Sequence, residues 1–224
     1  MTLNQRVYEE MKGQLLSGDI APYQRLKTSA LADVYGVSLN VVREVLNRLA
    51  GEGLVHLEPN LGFRVRGLSR EDLTDLVEQR ISVESIALRK CIARRSEEWQ
   101  SLVLAAHHRL EKTPLRPEAR ATELNPVWLS RHDEFHRVMM EGCGSPRLFR
   151  LVRLLADEAE LYHRALLPQM ARDQELKHEH QLFVDAILDD DSDGAVAVLV
   201  RHLEGTRDLM LPLLPVTPTS QKAA

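Results

Sequence analysis

Two helical stretches joined by three or four residues and followed at once by two strand-like segments constrain this chain more than any other feature. Thr28 or Ser29 can cap a short helix, SALADVY, that stops at Gly36. Ser38 can cap the next helix, which runs to about Gly53 with Val41, Val42, Val45, Leu46 and Leu49 on its inward face. Glycine ends the first helix without a Cβ penalty in the left-handed region, and two helices joined by so short a turn form a helix-turn-helix. An earlier helix, capped by Asn4 and ended by Gly18, places Val7, Met11, Leu15 and Leu16 on one side. LVHLEP and GFRVRGL, separated by Pro59, Asn60, Leu61 and Gly62, then read as a β-hairpin. This order predicts a winged helix-turn-helix, with a purely structural helical and β-hairpin scaffold as the alternative.

From Ser69 onward no strand pattern is convincing. Helical periodicity predicts helices at about 70–95, 97–112, 124–142, 145–167, 172–189 and 193–211. They are broken by Thr113–Pro114, Pro126, Gly142–Gly144, Pro168 and the acidic turn Asp189–Asp193. The expected fold is mainly α: three helices and a β-hairpin wing over 1–68, joined to an all-α antiparallel six-helix bundle over 69–213, with a flexible tail at 214–224. With 44% apolar residues in 224, such a chain can bury a core. Cys91 and Cys143 are too few for a disulfide framework, and no stretch reaches the length of a membrane helix. The expected setting is therefore cytoplasmic, with no membrane partner.

Charge divides the chain in the same place. Residues 1–69 carry 8 basic against 7 acidic side chains, a net of +1, while the remainder carries 21 against 26, a net of −5. In a helix-turn-helix the start of the second helix meets base edges in the major groove. Those positions hold Ser38, Leu39, Asn40 and Arg43, with Arg48 further on. Arg43 suits guanine or a phosphate, Asn40 suits adenine, and Leu39 offers an apolar contact. Arg25 and Lys27 can reach phosphates, as can Arg64 and Arg66 on the second wing strand, and Gly62 lets the wing tip approach a backbone. The alternative is that these are ordinary solvated cations.

Eight of the nine histidines lie at or after His107. His132 and His136 share a helix face in SRHDEFHRVMM; His180 lies with Phe183 and Ile187, and His202 beside Val198 and Leu199. Three helices thus turn imidazoles toward the predicted bundle core, where either hydrogen bonds or a shared metal must satisfy them. An imidazole-rich set suits zinc, nickel or another late divalent ion better than magnesium or calcium.

GDIAPYQRLKTSALADVYGVSLNVVREVLNRLAGEGLV with NLGFRV resembles the DNA-binding domain of GntR-family bacterial transcription regulators. Leu39, Asn40 and Val41 stand where that family usually has Arg, Thr and Pro, so relatives' operator bases are not carried over. Residues 70 to about 210 resemble the FCD effector domain of the FadR-type branch. The resemblance implies metal ligands at His136, His180 and His202, within Phe135–His136, Glu179–His180 and His202–Leu203. The family's Asp or Asn four residues before the first histidine is replaced by His132, with Asp133 the other candidate for that ligand.

Arg80 and Glu84 match the family's Arg-x-x-x-Glu, which implies a clamp for the carboxylate of a small organic-acid effector; an i,i+4 salt bridge is the alternative. Tyr162 is a further candidate for the effector cavity. The function implied is a non-enzymatic, metabolite-responsive regulator, a repressor by the family's commoner habit. It would act as a homodimer on a near-palindromic double-stranded operator. Alternatives are a purely structural or signalling metal, and a histidine-ligated metalloenzyme with Glu134 or Glu179 as base.

Overall fold

A computed structural model of the chain describes residues 2–117, 124–169 and 173–215. They divide into two compact units, 2–69 with 157–165, and 70–156 with 166–215 less the gaps just given. Most of the tail expected at 214–224 lies outside the described residues.

The first unit contains α1 (Leu3–Ser17), β1 (Arg25–Leu26), α2 (Thr28–Tyr35), α3 (Leu39–Gly51), β2 (Val55–Glu58) and β3 (Gly62–Val65). Thr2, not Asn4, caps α1, its hydroxyl accepting from the Gln5 amide at 3.2 Å. Gly36 ends α2 at φ +63°, in the left-handed region, and Ser38 caps α3 by accepting from the Val41 amide. Val7, Met11 and Leu15 of α1 meet Val42, Val45, Leu46 and Leu49 of α3 as a buried core. Each such side chain contributes about 1.5–3 kcal/mol on burial.

β2 and β3 pair antiparallel, Val55 opposite Val65 and Leu57 opposite Phe63. β1, which the sequence reading lacked, adds to the other edge of β3 and sets Arg25 opposite Arg64.

Residues 157–165 form the last part of α7 (Pro146–Leu166) and pack with this unit. Lys12 Nζ lies 2.6 Å from Asp157 and 2.8 Å from Glu52, and Arg66 lies 2.7 Å from Glu158. Burial works against the Lys12 ammonium, but the hydrogen bonds to Asp157 and Glu52 outweigh it and hold its pKa above the ordinary lysine value.

The second unit is helical: α4 (Arg70–Arg94), α5 (Glu97–Glu111), α6 (Pro126–Glu141), the first part of α7, α8 (Asp173–Leu188) and α9 (Ser192–Met210). Ser96, Asn125 and Asp191 cap α5, α6 and α9 with side-chain oxygens, and Pro126 occupies the first turn of α6. α4 packs against α9 and α6, α5 against α6 and α8, and α8 against α9. The core-facing stripe of α4 runs Leu73, Leu76, Val77, Ala87, Leu88, Cys91 and Ile92, but two charged residues, Arg80 and Glu84, occupy its middle. Among the described residues no helix is long and apolar enough to cross a membrane.

Candidate metal centre and nucleic-acid interface

The inward stripes of three helices carry the histidines. α6 presents Trp128, Leu129, His132, Phe135 and Met139; α9 presents Ala195, Val198, Leu199, His202 and Leu203; on α8, Glu179, His180, Phe183, Val184 and Ile187 are buried. Four residues apart on α6, His132 and His136 face each other with their Nε2 atoms 3.1 Å apart. His180 and His202 complete the set, and one ligand atom from each of the four lies within 4.8 Å of every other.

Ring centroids in the cluster are 4.5–6.4 Å apart. Trp128 stacks on His132 at 4.7 Å, while Phe135 and Phe183 lie edge-on to rings of the cluster.

This arrangement fits a bound metal ion. Burial and the three neighbouring imidazoles hold His136 well below the ordinary imidazole value, the neutral form that ligation requires. Its Nδ1 is enclosed without a hydrogen-bond partner among the described residues. Four nitrogen donors in so small a volume form the kind of set that zinc, nickel and similar ions take.

Asp133, the rival for the first ligand position, points elsewhere: it is exposed and lies 2.7 Å from Arg153. Glu134 pairs with Arg109 at the surface. Arg80 donates through Nε to Glu84 at 2.6 Å, both side chains buried, and its positive charge further depresses His136. The i,i+4 pair and proximity to the histidines therefore coexist. Tyr162, the further effector candidate, is buried. It belongs to the first unit, where its hydroxyl accepts from the Ser69 amide and donates to the Ser69 carbonyl.

In the first unit the outward face of α3 carries Asn40 and Arg43, with Ser38 and Leu39 at its start, all exposed. Arg25 and Lys27 are exposed beside α2, and Gly62 is exposed at φ +83°. Arg43, Arg25 and Lys27 make no ion pair with described residues, so their charge is available to a polyanion.

Arg48 and Arg64 are engaged. The Arg48 guanidinium lies 3.4 Å over the Tyr8 ring, donates to Gln5 and pairs with Glu52. Arg64 pairs with Glu58 at 2.7 Å and donates to the Tyr23 carbonyl.

Around the histidine cluster the sequence pattern leaves two features unannounced: Trp128 stacked on His132, and Glu179 against His202. Spacing could have found the first, since Trp128 lies one helical repeat before His132; nothing local signals the second.

A winged helix with a cationic, outward-facing second helix, on a chain that also carries an all-helical unit with clustered imidazoles, defines a DNA-binding regulator. Comparison with known proteins agrees. Residues 3–65 match the gntR family of bacterial regulatory proteins and residues 75–205 match the FCD domain.

The chain is 30% identical over 200 residues to the HTH-type transcriptional repressor GlaR of Escherichia coli (strain K12), covering 88% of this chain and 90% of that one. It is 27% identical to the regulator BphR of Paraburkholderia xenovorans (strain LB400), over 92% of this chain and 84% of that one. Among solved structures, E. coli McbR/YncC shares the fold with a TM-score of 0.76 at 19% identity, over 95% of this chain and 99% of that one. A GntR regulator from Rhodococcus sp. RHA1 gives 0.76 at 22%, over 96% and 100%. The chain belongs to the GntR family, in the group that carries an FCD domain; it is a DNA-binding transcription regulator and not an enzyme.

Proposed function

We propose that this regulator acts in the cytoplasm as a homodimeric repressor on a near-palindromic operator, with operator affinity modulated by a small organic acid. The acid would bind at or beside a divalent metal, zinc or nickel, held by His132, His136, His180 and His202. The observation that carries this reading is the four-imidazole cluster, with His132, His180 and His202 buried and the Arg80 charge acting on His136. Metal and guanidinium together present two cationic groups to a carboxylate.

On the DNA side, Arg43 and Asn40 read bases while Arg25, Lys27 and the wing at Gly62 contact the backbone. The repressor relative GlaR supports the direction of control. Two recognition helices, one per protomer, match a two-fold operator.

The test is an operator-binding titration of metal-loaded and metal-stripped protein against a panel of small carboxylates. Linkage requires an acid that weakens DNA binding to bind less tightly to the DNA complex. Loss of operator affinity with a carboxylate, in the metal-loaded form only, supports the reading. Indifference to every carboxylate in both forms overturns the sensing step.

A second reading has one observation in its favour. Four imidazoles fill a tetrahedral coordination shell, leaving no open position for an acid. In that reading the metal holds the bundle together or is itself the signal, and operator affinity responds to metal alone.

A further inference from the structure

Glu179 directly precedes His180 on α8, yet its carboxylate turns to a different helix. Its Oε2 lies 2.7 Å from Nδ1 of His202 on α9, and both residues are buried, at 7% and 5% exposure. Neighbouring residues on an α-helix point about 100° apart. One short stretch of α8 therefore delivers an imidazole into the cluster and a carboxylate to Nδ1 of His202.

An ionised carboxylate can only accept a hydrogen bond. In the neutral His202 ring that ligation requires, this contact fixes the proton on Nδ1, and Nε2 keeps the lone pair. A histidine whose outer nitrogen donates to a carboxylate is oriented and made a more basic ligand.

We propose that Glu179 is a positioning residue of the metal centre: without touching the metal, it fixes the tautomer and orientation of His202 so that Nε2 faces the ion. The centre then consists of four neutral nitrogen donors with a carboxylate one shell out, which offsets part of the ion's charge without occupying a ligand position. This inference rests on reading the histidine cluster as a metal centre. The sequence offers Glu179 as part of the Glu179–His180 motif or as a general base; the contact with His202 gives it a different role.

Full-length wild-type protein, Glu179→Gln and Glu179→Met are stripped of metal. Zinc affinity is measured by competition with a chromophoric chelator, and cobalt absorption at saturation records the donor set. Gln keeps an oxygen that accepts from Nδ1–H. Met fills the same space but accepts nothing, and helicity of the metal-free proteins is recorded alongside.

Glu179→Met is expected to lose roughly 10- to 100-fold in zinc affinity, and Glu179→Gln to recover most of it. The cobalt bands of both should keep the wild-type position and intensity. Wild-type affinity in Glu179→Met overturns the proposal. A changed cobalt spectrum in Glu179→Gln also overturns it, because the carboxylate would then be a ligand. Wild-type protein that takes up neither ion fails the metal-centre reading itself, and the proposal falls with it. Metal uptake by wild type with no effect of either substitution fails the Glu179 assignment alone.

Discussion

At the scale of single residues, two arginines of α3 look alike in the sequence and differ in the structure. Arg43 stands exposed and unpaired among the described residues, whereas Arg48 is stacked on Tyr8 and bonded to Gln5 and Glu52. Arg43→Ala is expected to weaken specific operator binding by about 1–3 kcal/mol with the melting temperature nearly unchanged. Arg48→Ala should lower the melting temperature through lost packing. Gel-shift titrations and thermal melts of both variants check this, and equal operator loss with equal melting would contradict it.

Glu84 gives a second prediction at this scale. Its buried partner Arg80 would be left uncompensated in Glu84→Ala, which should cost about 3–5 kcal/mol in denaturant unfolding. A cost below about 1 kcal/mol, the range of surface pairs, would show that water reaches the pair.

Protonation supplies a third prediction. The folded, metal-free chain holds His136 below the ordinary imidazole value, chiefly by burial and then through its neighbouring imidazoles. The unfolded chain takes up this proton below about pH 6.5, where the folded chain resists it. The stability contributed here is therefore present above that pH and lost as pH falls below it. Melts of metal-free wild type should show a falling melting temperature from neutral to mildly acidic pH, and His136→Phe should flatten the fall. Equal slopes would contradict the assignment.

At the scale of elements, periodicity and caps made the helices legible. Those of the second unit begin and end within about two residues of their expected bounds, the usual fraying of helix ends, because Ser96, Asn125–Pro126 and Asp191 mark their starts in the sequence. β1 was not legible, since a two-residue edge strand has no alternation to read. The histidine cluster was legible because His132, His136, His180 and His202 interrupt apolar stripes at helical spacing. The Tyr162–Ser69 and Glu179–His202 bonds were not, since they join residues 93 and 23 positions apart and depend on how helices pack.

The turn of the helix-turn-helix gives an element-scale test. Gly36 has φ +63° with nothing within 4 Å of where a Cβ would stand, so a substitution there costs only backbone strain. Gly36→Ala should destabilise the protein by about 1–2 kcal/mol in denaturant melts. Wild-type stability would show that the turn relaxes out of the left-handed region.

At the scale of the whole molecule, charge and histidine distribution set residues 1–69 apart from the rest of the chain, and the described residues form two compact units. The sequence reading assigned 145–167 entirely to the helical bundle, but 157–165 cluster with the winged helix. Periodicity shows that α7 is a continuous helix without showing what each turn packs against, and the contacts of Asp157 and Glu158 with Lys12 and Arg66 are long-range.

The central claim is that a metal ion occupies the imidazole cluster of this regulator. It is tested most directly by elemental analysis of tag-free protein purified without chelator, repeated on His202→Ala. The account predicts one late divalent ion per chain in the wild type and none in the variant. The absence of metal from both, or its retention by His202→Ala, would contradict it.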